Sequence, residues 1–158
     1  MLSDEWKNEA IKRFPEFSQE TYNYWDNPTL CWVDLFALFE ESYKLPRNEE
    51  LIRRIYEYAF WCLRQPKGKT SEDDLGNYVA TNFLEDIPTI EEARNDMPRW
   101  FTLDDVLSSE EVFSYHVGKE GFQKILDAYK SQNGNLTRRS SRRNGRGAKF
   151  IASKGFDA

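Results

Sequence analysis

NPTLCWVDLFALFEESYKLPRNEELIRRIYEYAFWCLRQP, residues 27–66, reads as two helices and the turn between them. Asn27 before Pro28 places a side-chain cap next to a ring whose fixed φ suits the first helical position, so a helix opens here and runs to about Tyr43. Leu45-Pro46-Arg47 makes a short turn, Asn48 caps the next helix, and Pro66 stops it after Gln65. In the first of the pair, Trp32, Leu35, Phe36, Leu38 and Phe39 leave only a narrow polar stripe around Asp34 and Glu41, the pattern of a helix covered on most sides. In the second, at about 100° per residue, Leu51, Ile55, Tyr58 and Cys62 form one apolar line and Ile52, Ala59 and Leu63 the line beside it. The two helices form an antiparallel hairpin at the centre of the fold, and its register puts Cys31 and Cys62 at the same level. Two buried thiols acting as small hydrophobes is the simpler reading of that pair; a redox couple is the other.

Working outward, Ser3 caps a helix with Asp4 and Glu5 in its first turn, ending before Pro15. Ser71 and Asp74 resemble a capping box and open a helix through Glu85. Beyond Pro88 the chain is choppier: Pro98 breaks it, and Thr102–Asp105 and Ser108–Glu111 give two more cap signals. Phe122, Ile125, Leu126 and Tyr129 then draw a single apolar stripe along a last helix. Period-two alternation is nearly absent. The predicted fold class is all-α, a helical bundle around the central hairpin, with one helical domain over 1–132 and a disordered Arg/Gly/Ser-rich basic tail over 133–158.

With 158 residues, 39% of them hydrophobic and 15% aromatic, the chain is long and apolar enough for one packed domain, and full disorder is excluded. Its longest apolar run, YAFWCL at 58–63, is too short for a signal peptide or a membrane span, so the expectation is a cytoplasmic protein with reduced thiols and no membrane partner. Neither a cofactor nor a metal is expected, because two cysteines fall short of a structural zinc set and the glycines at Gly145 and Gly147 follow no strand. No catalytic residue is assigned. His116 is the only histidine, has no nucleophilic elbow to serve, and has Phe113 where a carboxylate metal pair needs Glu; a core or capping role is expected.

Charge divides the chain in two. Residues 1–137 hold 26 acidic against 15 basic residues, whereas 138–158 hold seven basic residues against Asp157 alone. In the acidic part, Trp61 falls in the middle of the charged arc of Glu50, Arg53, Arg54, Glu57 and Arg64. Either the chain after Pro66 folds over it, or it anchors a partner, with Arg54, Glu57 and Arg64 beside it. In the second case its removal weakens the partner and leaves the melting temperature nearly intact. Residues 85–111, with Glu91, Glu92, Asp96, Asp104 and Asp105, are either a solvated face or a dock for a basic protein, for which Met97, Trp100 and Phe101 supply an apolar centre. In the basic part, Arg138, Arg139, Arg142, Arg143 and Arg146 either neutralise nucleic-acid phosphates or lie on the acidic body of this or another copy.

IRRIYEYAFWCLRQPKG at 52–68, followed by a polar capping stretch and DDLGNYVATNFLEDIP at 73–88, resembles a group of small bacterial all-helical domains whose relatives are often immunity proteins of toxin-immunity systems. The similarity spans about residues 28–130 and does not cover the tail. It implies a non-enzymatic, cytoplasmic protein-binding domain that neutralises a partner, and it carries over no catalytic residues.

Overall fold

The computed structural model describes residues 1–136, every element of which is helix, turn or loop, with no strand among the described residues. The all-α class is what the caps and periodicity predict. The expected disorder of the tail falls almost wholly outside the described residues. Where the sequence reading takes 1–132 as one domain, the chain groups into two compact units, Met1–Phe83 and Leu84 onward.

The first unit is built on the hairpin. It consists of α1 (Glu5–Arg13), α2 (Gln19–Tyr24), α3 (Pro28–Tyr43), α4 (Glu49–Leu63) and α5 (Leu75–Val79). Asn27 accepts the backbone N–H groups of Thr29 and Leu30 with Pro28 behind it, and Asn48 accepts that of Leu51, so both hairpin caps work as their chemistry dictates. Both predicted apolar lines of α4 are buried. The α3 helix is less enclosed than its composition implies: Trp32, Leu35 and Phe39 are fully buried, but Phe36 and Leu38 are only half-buried and Val33 is exposed. At the centre, Trp32 lies between Tyr58 and Phe83, with ring centroids 5.3 and 5.0 Å away and planes tilted by 24° in both cases. Phe39 meets Tyr56 and Phe83 edge-on. Such aromatic pairs contribute about 0.5–1.5 kcal/mol each beyond their buried area.

Several local expectations give way to tertiary packing. The first helix is capped at Asp4, not Ser3, and without a side-chain bond. Ser71 does not open a long helix. Residues Ser71–Asp73 form a single 3-10 turn, and Asp74, buried, is the true cap, accepting the Gly76 N–H at 2.9 Å. The helix predicted to reach Glu85 stops at Val79 and widens into a π-turn over Ala80–Leu84. Gly68 has a steric role nearby, since a Cβ there would lie 2.3 Å from the Asp73 carbonyl.

The second unit contains α6 (Glu91–Asp96), α7 (Leu103–Ser108), α8 (Glu110–Ser114) and α9 (Gly118–Leu136), with 3-10 turns at Ile87–Thr89 and Met97–Arg99. Against α9 pack α6, α8 and both turns. The predicted stripe of α9 buries Phe122, Ile125 and Tyr129, with Leu126 half-buried beside it. Tyr129 donates its hydroxyl proton to the Phe101 carbonyl at 2.8 Å, tying the second half of α9 to the residues just before α7. Thr102 and Asp105 form the predicted capping box of α7. The second predicted cap fails: α8 follows Ser109, which makes no side-chain cap bond, while the Ser108 hydroxyl donates back to the Asp104 and Asp105 carbonyls.

Candidate functional site

In the first unit, Trp61 is half-buried and lies parallel to Tyr58, 6.0 Å away at 10°. It forms one wall of a cleft of about 230 Å³ whose other walls are Leu2, Ser3, Glu5, Trp6, Gln65, Pro66 and Leu75. The chain around Pro66 and the N-terminal residues therefore flank Trp61 without sealing it. Its predicted companions do not gather around it as an anchor cluster. Arg54 turns to Glu50 at 2.8 Å, to Glu16 at 2.5 Å and to the Arg13 carbonyl at 2.8 Å, its guanidinium over Phe14, so it clamps the end of α1 to α4. Burial lowers the Arg54 pKa, but the hydrogen bonds to Glu50 and Glu16 outweigh it and hold the guanidinium firmly charged. Glu57 pairs with Arg53, and Arg64 is exposed.

Deeper in the same unit, Cys31 and Cys62 are both fully buried thiols, as their register predicts, and both reach the Tyr58 hydroxyl. Burial first, and the proximity of Cys62 second, push the Cys31 thiol far above its ordinary range. A thiol so held has almost no thiolate character and is a poor nucleophile.

In the second unit the acidic stretch separates into two sets. Asp96 is turned inward and accepts from Arg99 at 3.0 Å and from the Trp100 indole at 3.2 Å, with the Arg99 guanidinium 5.1 Å from the Trp100 ring centre. Asp105, 1% exposed, takes the Thr102 N–H at 2.8 Å. Burial raises the Asp105 pKa, and the bonds from Thr102 oppose the rise. These two carboxylates hold the fold. Glu91, Glu92, Asp104, Glu110 and Glu111 form the exposed set. Met97 and Phe101, expected as the apolar centre of this face, are buried instead, and Trp100 is half-buried.

The exposed apolar groups here are ones that sequence reasoning missed. Leu103 and Leu107, 38% and 49% exposed, stand four residues apart on α7 and so share a face, with Asp104 beside them and Glu110 and Glu111 opening the next helix. Tyr115, at the end of α8, is exposed as well. His116 is neither a core nor a capping residue. Its side chain is 42% exposed, its Nε2 lies 3.3 Å from Asp86 and 3.7 Å from Glu85, and Tyr115 packs edge-on to its ring. Burial raises the Glu85 pKa, while His116 pulls it down.

No match was found. No family model, curated protein or solved structure matches this chain. What the surfaces can do therefore follows from their own chemistry. Among the described residues no group of His, Cys, Asp and Glu is placed to hold a metal ion, and no helix is long and apolar enough to cross a membrane. The arginines Arg138, Arg139, Arg142, Arg143 and Arg146 lie outside the described residues.

Proposed function

We propose that this chain is a non-enzymatic protein-interaction module that docks a basic partner protein on the exposed face of α7 and the start of α8, and that it neutralises that partner in the manner of an immunity protein. The observation that carries this reading is the exposed pair Leu103 and Leu107 on α7, with Asp104 exposed on the same helix and Glu110 and Glu111 exposed in the first turn of α8. A folded chain leaves leucines outward at an energetic cost of roughly 25 cal/mol per Å² of apolar surface, and a partner that covers them recovers it. These carboxylates supply attraction at a distance. Complementary charge raises the rate of encounter and the selectivity for a basic partner more than it raises final affinity. The half-buried Trp61 belongs to the first unit, its indole already engaged with Tyr58, and is not part of this face.

Capture from nuclease-treated lysate of the source cell tests it, using the full chain, Leu103→Ser/Leu107→Ser and Trp61→Ala as baits. A discrete protein held by the parent and Trp61→Ala baits and lost by the leucine variant is the expected result. Equal retention by all three baits overturns the assignment of the face. Material held only without nuclease, and released with a steep dependence on salt, marks the arginines as a nucleic-acid contact instead.

A further inference from the structure

We propose that the cleft walled by Trp61 is a binding site for a guanidinium group, and that its occupant is the side chain of an arginine carried by a peptide. Every residue of the site belongs to the first unit and none to the α7 face, so it stands or falls independently of the docking surface proposed above.

Three observations select this ligand. The first is size. At about 230 Å³ the cleft is smaller than the roughly 300–1,000 Å³ of pockets that enclose a whole small molecule, so it takes one side chain and leaves the rest of the ligand outside. The second is the aromatic wall. Trp61 has one face toward Tyr58 and the other side open to the cleft, and Trp6, 4% exposed, lines the same space. Tryptophan is the strongest aromatic partner for a cation, and a guanidinium, being planar and weakly hydrated, lies flat on an indole where a compact ammonium cannot.

The third is the polar lining, which is rich in acceptors and carries no positive charge. Glu5 is exposed and makes no ion pair among the described residues. Gln65 donates its amide nitrogen to the Trp61 carbonyl at 3.0 Å and keeps its side-chain oxygen as an acceptor, and Ser3 adds a hydroxyl. None of the lining residues is basic. Lys7, Arg64 and Lys67, close by in sequence, are not among the walls, and the Met1 amino group is paired with Asp73 at 2.6 Å. A donor-rich cation therefore meets acceptors only, and its planar fork matches the Glu5 carboxylate in a way a point charge does not. An anion would face that same carboxylate.

The test titrates the full chain with blocked amino acids and follows the indole N–H and backbone amide signals by NMR. The probes are acetyl-arginine amide, its neutral planar isostere acetyl-citrulline amide, acetyl-lysine amide and acetyl-glutamate amide. Saturable shifts at the Trp61 and Trp6 indoles are expected with the arginine probe, with a Kd on the order of 1 mM, the scale of a single side chain. The other three probes should bind at least about fivefold more weakly, since each lacks either the charge or the plane. Glu5→Gln changes an exposed side chain, so an otherwise unmoved spectrum certifies its fold, and it should weaken the arginine probe about fivefold while leaving the citrulline probe unchanged. Indoles that stay still at tens of millimolar arginine probe overturn the proposal, as do equal shifts from the citrulline or lysine probe, or a Glu5→Gln variant that binds like the parent. Free arginine binding several-fold tighter than its blocked form would overturn the peptide-borne occupant in favour of the amino acid itself.

Discussion

Tyr58 of α4 donates its hydroxyl proton to the Trp6 carbonyl of α1 at 3.0 Å, across 52 residues of sequence. The same side chain stacks against Trp32 on one side, is 6.0 Å from Trp61, and receives both thiols of the hairpin. One hydroxyl therefore ties the N-terminal helix to the aromatic centre of the first unit. Burial raises the Tyr58 pKa well above its ordinary value, which favours the protonated, donating form of the hydroxyl. Tyr58→Phe keeps the ring and removes the donor, and should cost about 1 kcal/mol. Hydrogen exchange locates the loss: α1 amides should exchange faster in the variant, and unchanged α1 protection would show that the bond does not hold the helix.

The two tryptophans on either side of Tyr58 should differ sharply on truncation. Trp32 is fully buried between two rings, and Trp32→Ala should cost about 3–5 kcal/mol. Trp61 is half-buried, with one face toward Tyr58 and the other side open to the cleft. Its truncation should cost about 1–2 kcal/mol, the share expected of one stacked pair and a partly covered ring. Urea unfolding of the two variants measures the difference. Equal losses would mean that Trp61 belongs to the packed centre and has no surface role.

The hairpin was legible because its signals are local. Asn27 and Pro28 are neighbours whose chemistry acts within one turn, and the pairing of Cys31 with Cys62 follows from counting residues about a single bend. The failures come where a choice between equivalent local signals is made by distant atoms. Both Ser71 and Asp74 can cap a helix, and burial selected Asp74. The α2 helix, six residues long, has no room for a periodic stripe, and only the Ser18 bond to the Thr21 N–H marks its start. The candidate face was hidden for a similar reason. A leucine pair four residues apart looks the same in sequence whether it points in or out, and in a helix as short as α7 no further turn breaks the tie. Glu85, Asp86 and His116 meet only through the fold, so no spacing rule connects them.

Thiol labelling separates the two readings of the cysteine pair. Both sulfurs are fully buried, and burial holds Cys31 protonated far beyond neutral pH. Attack on a disulfide reagent requires thiolate, so the folded chain should react only as fast as it opens. The expected result is slow labelling in native buffer that accelerates in step with unfolding as urea is added, ending at two thiols per chain. Rapid labelling of either cysteine in native buffer would put a reactive thiol on this protein and reopen the redox reading.

Asp105 gives the second unit a pH dependence whose sign can be worked out. One carboxylate oxygen accepts the Thr102 N–H, and the other, Oδ1, is buried with no hydrogen-bond partner among the described residues. Burial raises its pKa above the ordinary 3.8, so within the window just above that value the folded chain retains a proton that the unfolded chain has released. Stability rises with pH only where the unfolded state binds more protons; here the folded state does, so the contribution of Asp105 falls as pH climbs through the window and is fully lost above the raised value. Asp105→Asn keeps an acceptor for Thr102 and removes the titration. Its stability relative to the parent should therefore improve as pH is raised from about 3 to about 7, measured by urea unfolding at each pH. Other carboxylates, Glu85 among them with its pKa also raised, titrate alike in both proteins and cancel in the difference. A difference that stays flat across that range would mean that the lone oxygen carries no unrelieved charge, and that the capping box bears the carboxylate without penalty.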